Sequence, residues 1–487
     1  MARELFEHFL RDQTHQGPPM PNAFNGAAGG AACGDLARIS LSIGGGAIGG
    51  VSFEAEGCGA TRAATAAVAE MVEGEPVVEA ARIGTDEVDE ALGGLTPAKR
   101  HAAQLAADAL HRALAGAAAS DERLAPARPG RVLVAMSGGV DSAVAALLER
   151  ERGADVLAVT LKLWADPETD GAKACCSPEA VLGARAVTHS LGLPHLTLDL
   201  EEEFRARVVG AFLDGYGAGA TPNPCIVCNG EVRIAAMIDL ADRLGAERLV
   251  TGHYARIVED GDGPLLAAAA DRAKDQSYML AALPPVLLDR LDFPLTELTK
   301  PEVREVAARH GLSVARKPES QDLCFLAGQG KGRFLRRHAG LGEREGAVVD
   351  RAGRRLGRHR GHHHFTVGQR RGLGVSAEEP LYVLATDAGS NTVTVGTRAE
   401  LATRSVRVRD AVLHRDGGRV DGIKLRYRAR PVPASVSGAA SGRHAELEVE
   451  LGESFDAASP GQAAVLLSGE TIVGHGTIAS REGPVPK

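Results

Sequence analysis

The sequence predicts a multidomain protein in which a doubly wound α/β domain follows an α+β N-terminal module and precedes a small central domain and a C-terminal β-barrel. Its 487 residues are enough for about three domains of ordinary size. Short apolar runs alternate with helical patterns between residues 131 and 257, which is typical of a parallel sheet with helices on both faces. Beyond about residue 380, short strands separated by turns favour a barrel.

Each element has its own signal. In the α/β domain the predicted strands are RVLVAM (131–136), DVLAVTLKLW (155–164), HLTLDL (195–200) and RLVTGHYARI (248–257). The predicted helices are AVAALLERERG, a segment that begins with the capping residue Ser177 and with Pro178, and EVRIAAMIDLADRLGA (231–246). In the all-β part the predicted strands are LYVLAT, NTVTVG, VRVRDAVL, GIKLRYRA, AELEVEL and AAVLLSG.

Composition excludes several classes of protein. Hydrophobic residues make up 44% and charged residues 24%, so the chain is neither disordered nor fibrous. No run of about 18 apolar residues is present, so we expect no membrane-spanning segment and no membrane partner. The first residues, MARELFEHFLRDQ, lack the apolar region of a secretory signal, so we expect a cytoplasmic protein. Seven cysteines are too few for a disulfide scaffold in this length, and their grouping suggests chemistry.

Charge is unevenly distributed along the chain, whose net charge is −8. Residues 1–114 hold 8 Lys/Arg and 15 Asp/Glu, whereas residues 327–374 hold 12 Lys/Arg and 3 Asp/Glu. An acidic front module therefore precedes a basic segment that could contact phosphates. Charge alone leaves a solvated surface as an equal alternative for that segment.

The domain boundaries follow from changes in pattern. Residues 115–130, AGAAASDERLAPARPG, are small, polar and proline-containing, which is typical of a linker. The predicted units are 1–114 (N-terminal module), 115–130 (linker), 131–328 (α/β domain), 329–395 (small central domain with the basic segment) and 396–487 (β-barrel).

The motif SGGVDS (137–142) occupies the first strand-to-helix turn of the α/β domain. Its glycines let the backbone approach phosphate oxygens, its two serines supply hydroxyl donors, and it has no lysine of the Walker A kind. A glycine pair alone would usually be structural, but the complete motif resembles the PP-loop of the ATP pyrophosphatase (HUP-like) superfamily. The resemblance implies ATP binding, with Asp141 helping to hold Mg²⁺.

Two cysteines stand in settings that suggest chemistry. TPNPCIVCNGEVRI (221–234) is predicted to lie on a loop between the third strand and the next helix, at the same edge of the sheet as SGGVDS, and it carries Cys228. SQDLCFL presents Cys324 about 100 residues later. A role as a small buried hydrophobe is favoured for Cys175 and Cys176 but not for this pair.

Seven motifs together resemble the tRNA-specific 2-thiouridylase family (MnmA type) over residues 131–482. They are, in chain order, VAMSGGVDS, TPNPCIVCN, TGHYAR, KDQSYML, SQDLCF, HHFTVGQRRGLG and KLRYR. The resemblance implies a tRNA-uridine 2-sulfurtransferase, which replaces the C2 oxygen of the wobble uridine (position 34) by sulfur from a cysteine persulfide and releases AMP and pyrophosphate. It implies that Cys324 carries the persulfide and that Cys228 is the nucleophile that releases sulfide or closes a disulfide with Cys324.

The resemblance also implies binding residues. For ATP they are Ala135, Met136, Ser137, Gly138, Gly139, Val140, Asp141, Ser142, Leu161 and Gly252. For tRNA and the target base they are Asn223, Pro224, Cys225, His253, Lys274, Asp275, Gln276, Arg426, Tyr427 and Gln462. Thiolates need an electropositive site, for which Arg233, Lys274 and Arg316 are candidates. The histidine run at 362–364 is a weak metal candidate within the basic segment.

Cys225 departs from the family pattern, because many relatives have Asp at this position. It forms C-x-x-C with Cys228. Together with Cys324, these cysteines could bind a four-iron four-sulfur cluster with one open iron. Alternatively, Cys225 is a local variant with no metal role, and the sequence leaves both possibilities open.

The N-terminal module resembles the iron–sulfur scaffold family (NifU/IscU type). The segments that carry the resemblance are AACGDLARISLSI, FEAEGCGATRAATAAVAEMVEG and LTPAKRHAAQLAADAL. They supply Cys33, Asp35, Cys58 and His101, a set that could hold zinc or a nascent cluster. The family's third cysteine is Ala102 here. Sulfur relay, docking of a cysteine desulfurase or another sulfur-relay protein, and a degenerate docking module all remain open.

Three functions are therefore compared. The leading hypothesis is an ATP- and Mg²⁺-dependent tRNA sulfurtransferase with a fused sulfur or cluster donor. The alternative is an iron–sulfur or sulfur carrier with an ATP-regulated PP-loop module. A weaker third hypothesis is a PP-loop ligase that acts on a small amide or acid. Cys228, Cys324 and KDQSYML favour the enzyme, since a carrier needs no tRNA contacts.

Overall fold

The N-terminal module is a three-stranded antiparallel sheet, in the order β1-β2-β3, packed against helices. The computed structural model describes residues 2–30, 34–166, 177–318 and 323–480 of the chain. In the module the elements are α1 (Ala2–Arg11), β1 (Phe24–Gly29), β2 (Leu36–Gly44), β3 (Ala47–Glu56), α2 (Gly59–Val72), α3 (Val77–Ala80), α4 (Thr85–Ala91) and α5 (Arg100–Ala118). Buried alanines dominate α2 and α5, and these small side chains let the helices approach the sheet closely. The predicted α+β class is confirmed.

The second domain contains a five-stranded parallel sheet in the order β10-β7-β4-β5-β6. Its elements, with a hairpin that joins the barrel, are β4 (Arg131–Ala135), α6 (Val140–Glu151), β5 (Asp155–Lys162), α7 (Pro178–Ser190), β6 (His195–Asp199), α8 (Glu201–Phe204), α9 (Gly210–Gly217), α10 (Pro224–Val227), α11 (Ile234–Arg243), β7 (Arg248–Thr251), β8 (Arg256–Glu259), β9 (Pro264–Ala267), α12 (Ser277–Leu280), α13 (Pro285–Leu288), β10 (Leu291–Asp292) and α14 (Lys300–Arg309). Single π-helical turns cover Arg205–Val209 and Cys228–Arg233. The predicted doubly wound α/β class is confirmed.

Local signals explain these elements. The side chains of β4 are buried on both faces of the sheet, which is why its sequence is continuously apolar. Helix α7 begins as predicted, because the Ser177 side chain accepts a hydrogen bond from the Ala180 amide at 3.1 Å.

Within the α/β domain, two local predictions were wrong. The run at 248–257 is not one strand, because β7 ends at Thr251 and the chain then turns at Gly252. Any other residue at this position would place its Cβ 2.7 Å from the Ser142 nitrogen, which is too close. The run's last residues instead begin β8, which pairs with β9 beside the barrel. The segment 221–234 is largely helical rather than a loop, because Asn223 caps α10 and the helix continues through its π-helical turn into α11.

The central domain is a four-stranded sheet in the order β12-β11-β14-β13. Its elements are α15 (Lys331–Ala339), β11 (Gly346–Val349), β12 (Arg355–His359), β13 (Tyr382–Asp387) and β14 (Thr392–Gly396). LYVLAT and NTVTVG therefore belong to this sheet and not to the barrel. The histidine run forms a 3₁₀ turn in which His362 contacts the Asn391 side chain and the Tyr216 carbonyl. It belongs to no candidate metal group among the described residues.

The C-terminal domain is a closed barrel. Its elements are α16 (Arg398–Leu401), β15 (Ala402–Leu413), β16 (Gly422–Lys424), β17 (Val432–Ser435), β18 (Gly442–Asp456), β19 (Ala463–Ser468) and β20 (Thr471–Ile478). The strand order is β15-β18-β17-β16-β19-β20, and pairing of β15 with β20 closes the ring. The predicted barrel is confirmed.

The stretch between the first two domains packs closely against the second. Helix α5 continues to Ala118, and Leu124 and Ala125 are buried. The Leu124 amide donates to the Arg243 carbonyl at 2.9 Å. Boundaries at residues 114 and 130 remain predictions. Within the described ranges, no helix has the length and apolarity needed to cross a membrane.

Candidate functional site

The SGGVDS turn is held in shape by its own serines. The Ser142 hydroxyl accepts from the Ser137 amide at 3.1 Å and donates to the Gly139 carbonyl at 3.1 Å. Gly138 has a φ of +68°, a left-handed conformation that glycine adopts without strain. The turn leads into the N-terminus of α6, where free amides and the helix dipole favour a phosphate.

Asp141, on the first turn of α6, lies against a buried cation. Lys300 Nζ donates to both carboxylate oxygens at 2.7 Å, and the Tyr254 hydroxyl donates to Oδ1 at 2.8 Å. The Lys300 side chain is 8% exposed and that of Asp141 is 32% exposed. The carboxylate therefore has a structural partner in addition to the predicted metal role.

The first two cysteines of the site lie on one helix. The Asn223 side chain accepts from the Cys225 amide at 3.1 Å and so caps α10, which Pro224 opens. Cys225 and Cys228 are three residues apart and therefore share a helix face. Cys228 begins the π-helical turn, a feature that is frequent at functional sites. Cys324 begins a separate 3₁₀ turn. Cys228 is buried, whereas Cys225 and Cys324 are partly exposed.

A cleft of about 390 Å³ joins the phosphate turn to these cysteines. Predicted residues in its lining are Ala135, Met136, Ser137, Asp141, Ser142, Leu161, Pro224, Cys225, Cys228, Gly252, His253, Gln276 and Cys324. Phe204, Val208, Met237 and Phe325 supply apolar walls. The structure thus brings the predicted nucleotide residues and both predicted catalytic cysteines to one cavity.

The remaining predicted residues lie outside this lining, among them Gly138, Gly139, Val140, Lys274 and Arg316. Three cations were predicted near the thiolates, namely Arg233, Lys274 and Arg316. Of these three described residues, Arg233 lines the cleft and the other two do not. Asn223 and Gln462 line a neighbouring hollow of about 240 Å³, and Asp275 and Tyr427 line a third of about 580 Å³. Arg426 donates to the Ala457 carbonyl at 2.5 Å.

Asp275 is a buried structural acceptor in this structure. Its carboxylate accepts from the Ser277 amide at 3.2 Å and the Ser277 hydroxyl at 3.0 Å, and Lys424 Nζ lies 3.4 Å away. Gln462 likewise donates to the Thr221 carbonyl at 2.6 Å. These contacts hold the barrel against the α/β domain, and contact of either residue with tRNA remains a prediction.

His253 is a neutral imidazole in the cleft. Burial, with a smaller effect of the Arg233 guanidinium, lowers the pKa of His253 to about 3. Its Nδ1 lies 2.8 Å from the Thr251 hydroxyl. Gln276 accepts from the Tyr254 amide at 3.0 Å through its side-chain oxygen. His253 and Gln276 are therefore uncharged hydrogen-bonding groups in the lining of the cleft.

The N-terminal module holds a second cluster. Ligand atoms of Asp35, Cys58 and His101 all lie within 4.8 Å of one another. Burial would raise the pKa of Asp35, but hydrogen bonds from the Cys58 amide, the Thr61 hydroxyl, the Cys58 thiol and His101 hold it well below its usual range. Cys33, the fourth predicted member, lies outside the described residues, as do Cys175 and Cys176.

Four sequence families match the chain in succession. They are described as a NifU-like N terminal domain (residues 2–121), a tRNA methyl transferase HUP domain (130–328), a tRNA methyl transferase PRC-barrel domain (332–397) and an aminomethyltransferase beta-barrel domain (405–478). The "Bifunctional protein NifU/MnmA" of Rubrobacter xylanophilus is 47% identical over 470 residues, which cover 94% of each chain. This chain belongs to the bifunctional NifU/MnmA family.

Proteins named for MnmA alone match 72% of the NifU/MnmA chain. The "tRNA-specific 2-thiouridylase MnmA" of Geobacter metallireducens is 42% identical over 357 residues, which cover 72% of this chain and 96% of that protein. The protein of the same name from Chloroflexus aurantiacus is 44% identical over 357 residues, covering 72% and 99%. The predicted resemblance to both families is confirmed.

Sequence reasoning missed the lysines of this NifU/MnmA site. Lys300 pairs with Asp141 across 159 residues, and its only local signal was a helix start after Thr299. Lys317 Nζ donates to the Gly138 carbonyl at 2.8 Å. Its position just before SQDLCF was a signal that could have found it.

Proposed function

We propose that the chain catalyses ATP-dependent 2-thiolation of the wobble uridine of tRNA. The observation that carries this proposal is the single cleft that joins the phosphate turn to Cys228 and Cys324. Transfer of sulfur to an activated base requires the nucleotide and the sulfur carrier to reach the same atom. The membership of the NifU/MnmA family supports the same function. Because the substrate is tRNA, we place the reaction in the cytoplasm.

The nucleotide end of the cleft activates the base. The uridine O2 attacks the α-phosphorus of ATP and pyrophosphate leaves, so that the oxygen can later depart as part of AMP. Backbone amides of the SGGVDS turn and the α6 N-terminus bind the phosphates. Asp141 fits Mg²⁺, because its carboxylate supplies the oxygen ligands that this ion prefers and lines the cleft beside the phosphate turn. Its pairing with Lys300 competes with the metal for the same oxygens. When bound, Mg²⁺ screens the charge of the triphosphate.

The cysteine end supplies sulfur. Cys324 carries a persulfide, and the Cys228 thiolate attacks the Cys324 Sγ, so that a Cys228–Cys324 disulfide forms and the terminal sulfur leaves as sulfide. The sulfide attacks C2 of the adenylated base and AMP departs. A cellular thiol reductant then supplies the two electrons that reopen the disulfide. Arg233 in the lining favours the thiolates.

Recognition of tRNA rests on shape and charge. A wobble base must leave the anticodon stack to enter an enclosed cleft, where His253 and Gln276 offer hydrogen-bonding groups. The hollow lined by Tyr427 also holds Arg272, Lys424, Arg428 and Arg430, which suits backbone phosphates. The basic segment at 327–374 offers further positive charge for backbone phosphates.

The alternative to the persulfide mechanism is an iron–sulfur cluster bound by Cys225, Cys228 and Cys324. The donor set fits, because three thiols line one cleft. Among the described residues, these three cysteines are not a group whose ligand atoms lie close enough together to hold a single metal ion. If a cluster binds, these three cysteines hold it and its open iron supplies a binding position for sulfide.

The N-terminal cluster fits a metal or sulfur role. Asp35, Cys58 and His101 offer carboxylate, thiolate and imidazole ligands that suit zinc or a nascent iron–sulfur cluster. We propose that this module receives sulfur from a cysteine desulfurase or another sulfur-relay protein. The carrier and small-substrate ligase alternatives leave the tRNA-modifying relatives unexplained.

The test is thiolation by the purified full-length chain. Unmodified tRNA is incubated with ATP, Mg²⁺ and sodium sulfide, and nucleosides are analysed by mass spectrometry. With sulfide we expect 2-thiouridine at position 34 from the wild type, from Cys58→Ser, the matched control in the other cysteine site, and from Cys228→Ser, because added sulfide replaces the sulfide that Cys228 releases. When cysteine and a cysteine desulfurase replace the sulfide, we expect Cys228→Ser to form no 2-thiouridine. Absence of 2-thiouridine with the wild type would overturn the proposal.

A further inference from the structure

Helix α5 of the N-terminal module runs in the same direction as two helices of the α/β domain. Asp108 forms a buried salt bridge with Arg185 of α7, and the ring of His111, one turn later, lies 5.3 Å from that of His189. At the end of α5, the Ala118 carbonyl accepts from Arg243 of α11 at 2.8 Å. Residue numbers rise together along α5 and α7, so the helices are locally parallel.

This direction fixes which end of the sheet the module's cysteine site approaches. Helices α7 and α11 each lead back to the start of a parallel strand, and so they run from the carboxyl end of the sheet to its amino end. The C-terminus of α5 therefore lies at the amino end. Its N-terminus, which carries His101, points to the carboxyl end.

The β2–β3 hairpin gives an independent check. Its turn is at the amino end, because a Cβ on Gly46 would lie 3.0 Å from the Leu124 carbonyl and the Leu124 amide bonds to Arg243. Asp35 precedes β2 and Cys58 follows β3, so both lie at the opposite end of the hairpin. Nine residues of β2 span about 27 Å.

Helix lengths place the two cysteine sites at a similar height. Counting back from the Ala118–Arg243 contact at about 1.5 Å per residue, His101 lies about 26 Å along α5 and Cys228 about 22 Å along the α10–α11 helix. Both sites thus approach the carboxyl end of the sheet. Direct sulfur exchange at that face requires the two sulfur atoms to come into contact.

We infer that this fixed docking, and not a loose tether, makes the N-terminal module a sulfur donor to the cysteine site of the same chain. The inference rests on the proposed function. The interface between the N-terminal module and the α/β domain is a stable one. Its polar residues Asp108, His111, Arg185 and His195 are buried, and the His195 amide donates to the Ala81 carbonyl at 2.9 Å. Docking fixes the orientation of the donor, which a flexible linker does not.

The transfer itself is a balanced thiol–persulfide exchange. A cysteine desulfurase supplies the sulfane sulfur to Cys58. The Cys324 thiolate then attacks that terminal sulfur, the sulfur–sulfur bond at Cys58 breaks, and Cys58 leaves as a thiolate. A persulfide forms on Cys324, and no external oxidant or reductant takes part.

The experiment separates docking from chemistry in the full-length chain. Asp108→Arg places two arginines face to face, Arg185→Asp places two carboxylates face to face, and the double charge swap restores an opposite pair. Thiolation is measured with sodium sulfide and, separately, with cysteine and a cysteine desulfurase. Arg123→Ala, an exposed arginine of the connecting segment, is the matched control. Proteolytic cleavage between residues 118 and 131 reports undocking.

We expect each single variant to lose about tenfold or more of desulfurase-supported thiolation, to keep sulfide-supported thiolation within about twofold, and to become protease-sensitive. The double swap regains most of the loss. The inference is overturned if the protease-sensitive variants keep the wild-type ratio of desulfurase-supported to sulfide-supported thiolation. Failure of the wild type with sulfide overturns the proposed function instead.

A mixing experiment tests transfer within one chain. Equal amounts of Cys58→Ser and Cys324→Ser chains are combined with cysteine and the desulfurase. We expect no more 2-thiouridine than from either variant alone. Recovery toward half of the wild-type rate shows transfer between chains and overturns the inference.

Discussion

Lys300→Met tests the buried pair that holds Asp141. Lys300 Nζ donates to both carboxylate oxygens at 2.7 Å. Removing one partner of a fully buried ion pair leaves the other charge unpaired and lowers the free energy of unfolding by about 3–5 kcal/mol. The Asp141 side chain is 32% exposed, so water screens the stranded charge and we expect a loss nearer to about 2 kcal/mol. In a domain of this size that loss lowers Tm by about 4–8 °C.

Function and stability separate in the paired variant. Asp141→Asn strands the buried Lys300 and removes the Mg²⁺ ligand, so it loses both stability and tRNA-dependent pyrophosphate release. The double variant Asp141→Asn/Lys300→Met leaves neither charge unpaired, so we expect it to regain most of the Tm yet release no pyrophosphate.

Calorimetry and a coupled pyrophosphate assay measure the two quantities on the same preparations. A double variant no more stable than the weaker single variant would refute the pairing argument. Pyrophosphate release by that double variant at the wild-type rate would refute the role of Asp141 toward Mg²⁺.

Three further outcomes are expected. Cys324→Ser blocks persulfide formation, whereas Cys228→Ser accepts sulfur without turnover; peptide mass spectrometry that finds persulfide on Cys228 alone would reverse the two roles. Cys58→Ser slows thiolation with limiting desulfurase but not with sulfide, and equal rates with the desulfurase would exclude chemical transfer by the module. Burial lowers the pKa values of His414 and His475 to about 4, so these groups bind protons in the unfolded chain but not in the folded one between about pH 4 and 6.5. Stability therefore falls as pH drops through this window, by about 1 kcal/mol per histidine at pH 5.5, and urea unfolding of His414→Asn at pH 7.5 and 5.5 checks whether the slope decreases.

Fold class was predictable because burial on both sides of the parallel sheet forces continuous apolar runs, as in β4. The break at Gly252 was not predictable, because RLVTGHYARI is uniformly strand-like and the chain turns there to let the SGGVDS turn approach. The helix that carries Cys228 was likewise hidden by prolines and asparagines that suggested a loop but instead cap α10.

The candidate site was predictable where chemistry is local. The residue types of SGGVDS and of the two cysteines indicate their roles directly. Lys300, in contrast, contacts Asp141 only because α14 packs on α6. The docking of α5 was hidden for a similar reason. Its partners Arg185 and Arg243 are single charged residues on distant helices, and the small, polar composition of residues 115–130 suggested a free linker.

Cys225→Asp decides between the two forms of the cysteine site. Cys225 contributes its amide to the Asn223 cap at 3.1 Å, which an aspartate backbone also supplies, and a carboxylate near a helix N-terminus is favourable. We therefore expect the variant to fold and to thiolate tRNA with sulfide within about twofold of the wild type. If three thiolates hold a cluster, the substitution removes one of them. Iron analysis and visible absorption after anaerobic purification then accompany the activity assay. Iron present in the wild type and lost together with activity in Cys225→Asp, but not in the Cys58→Ser control, would contradict the expectation and assign the cluster to Cys225, Cys228 and Cys324.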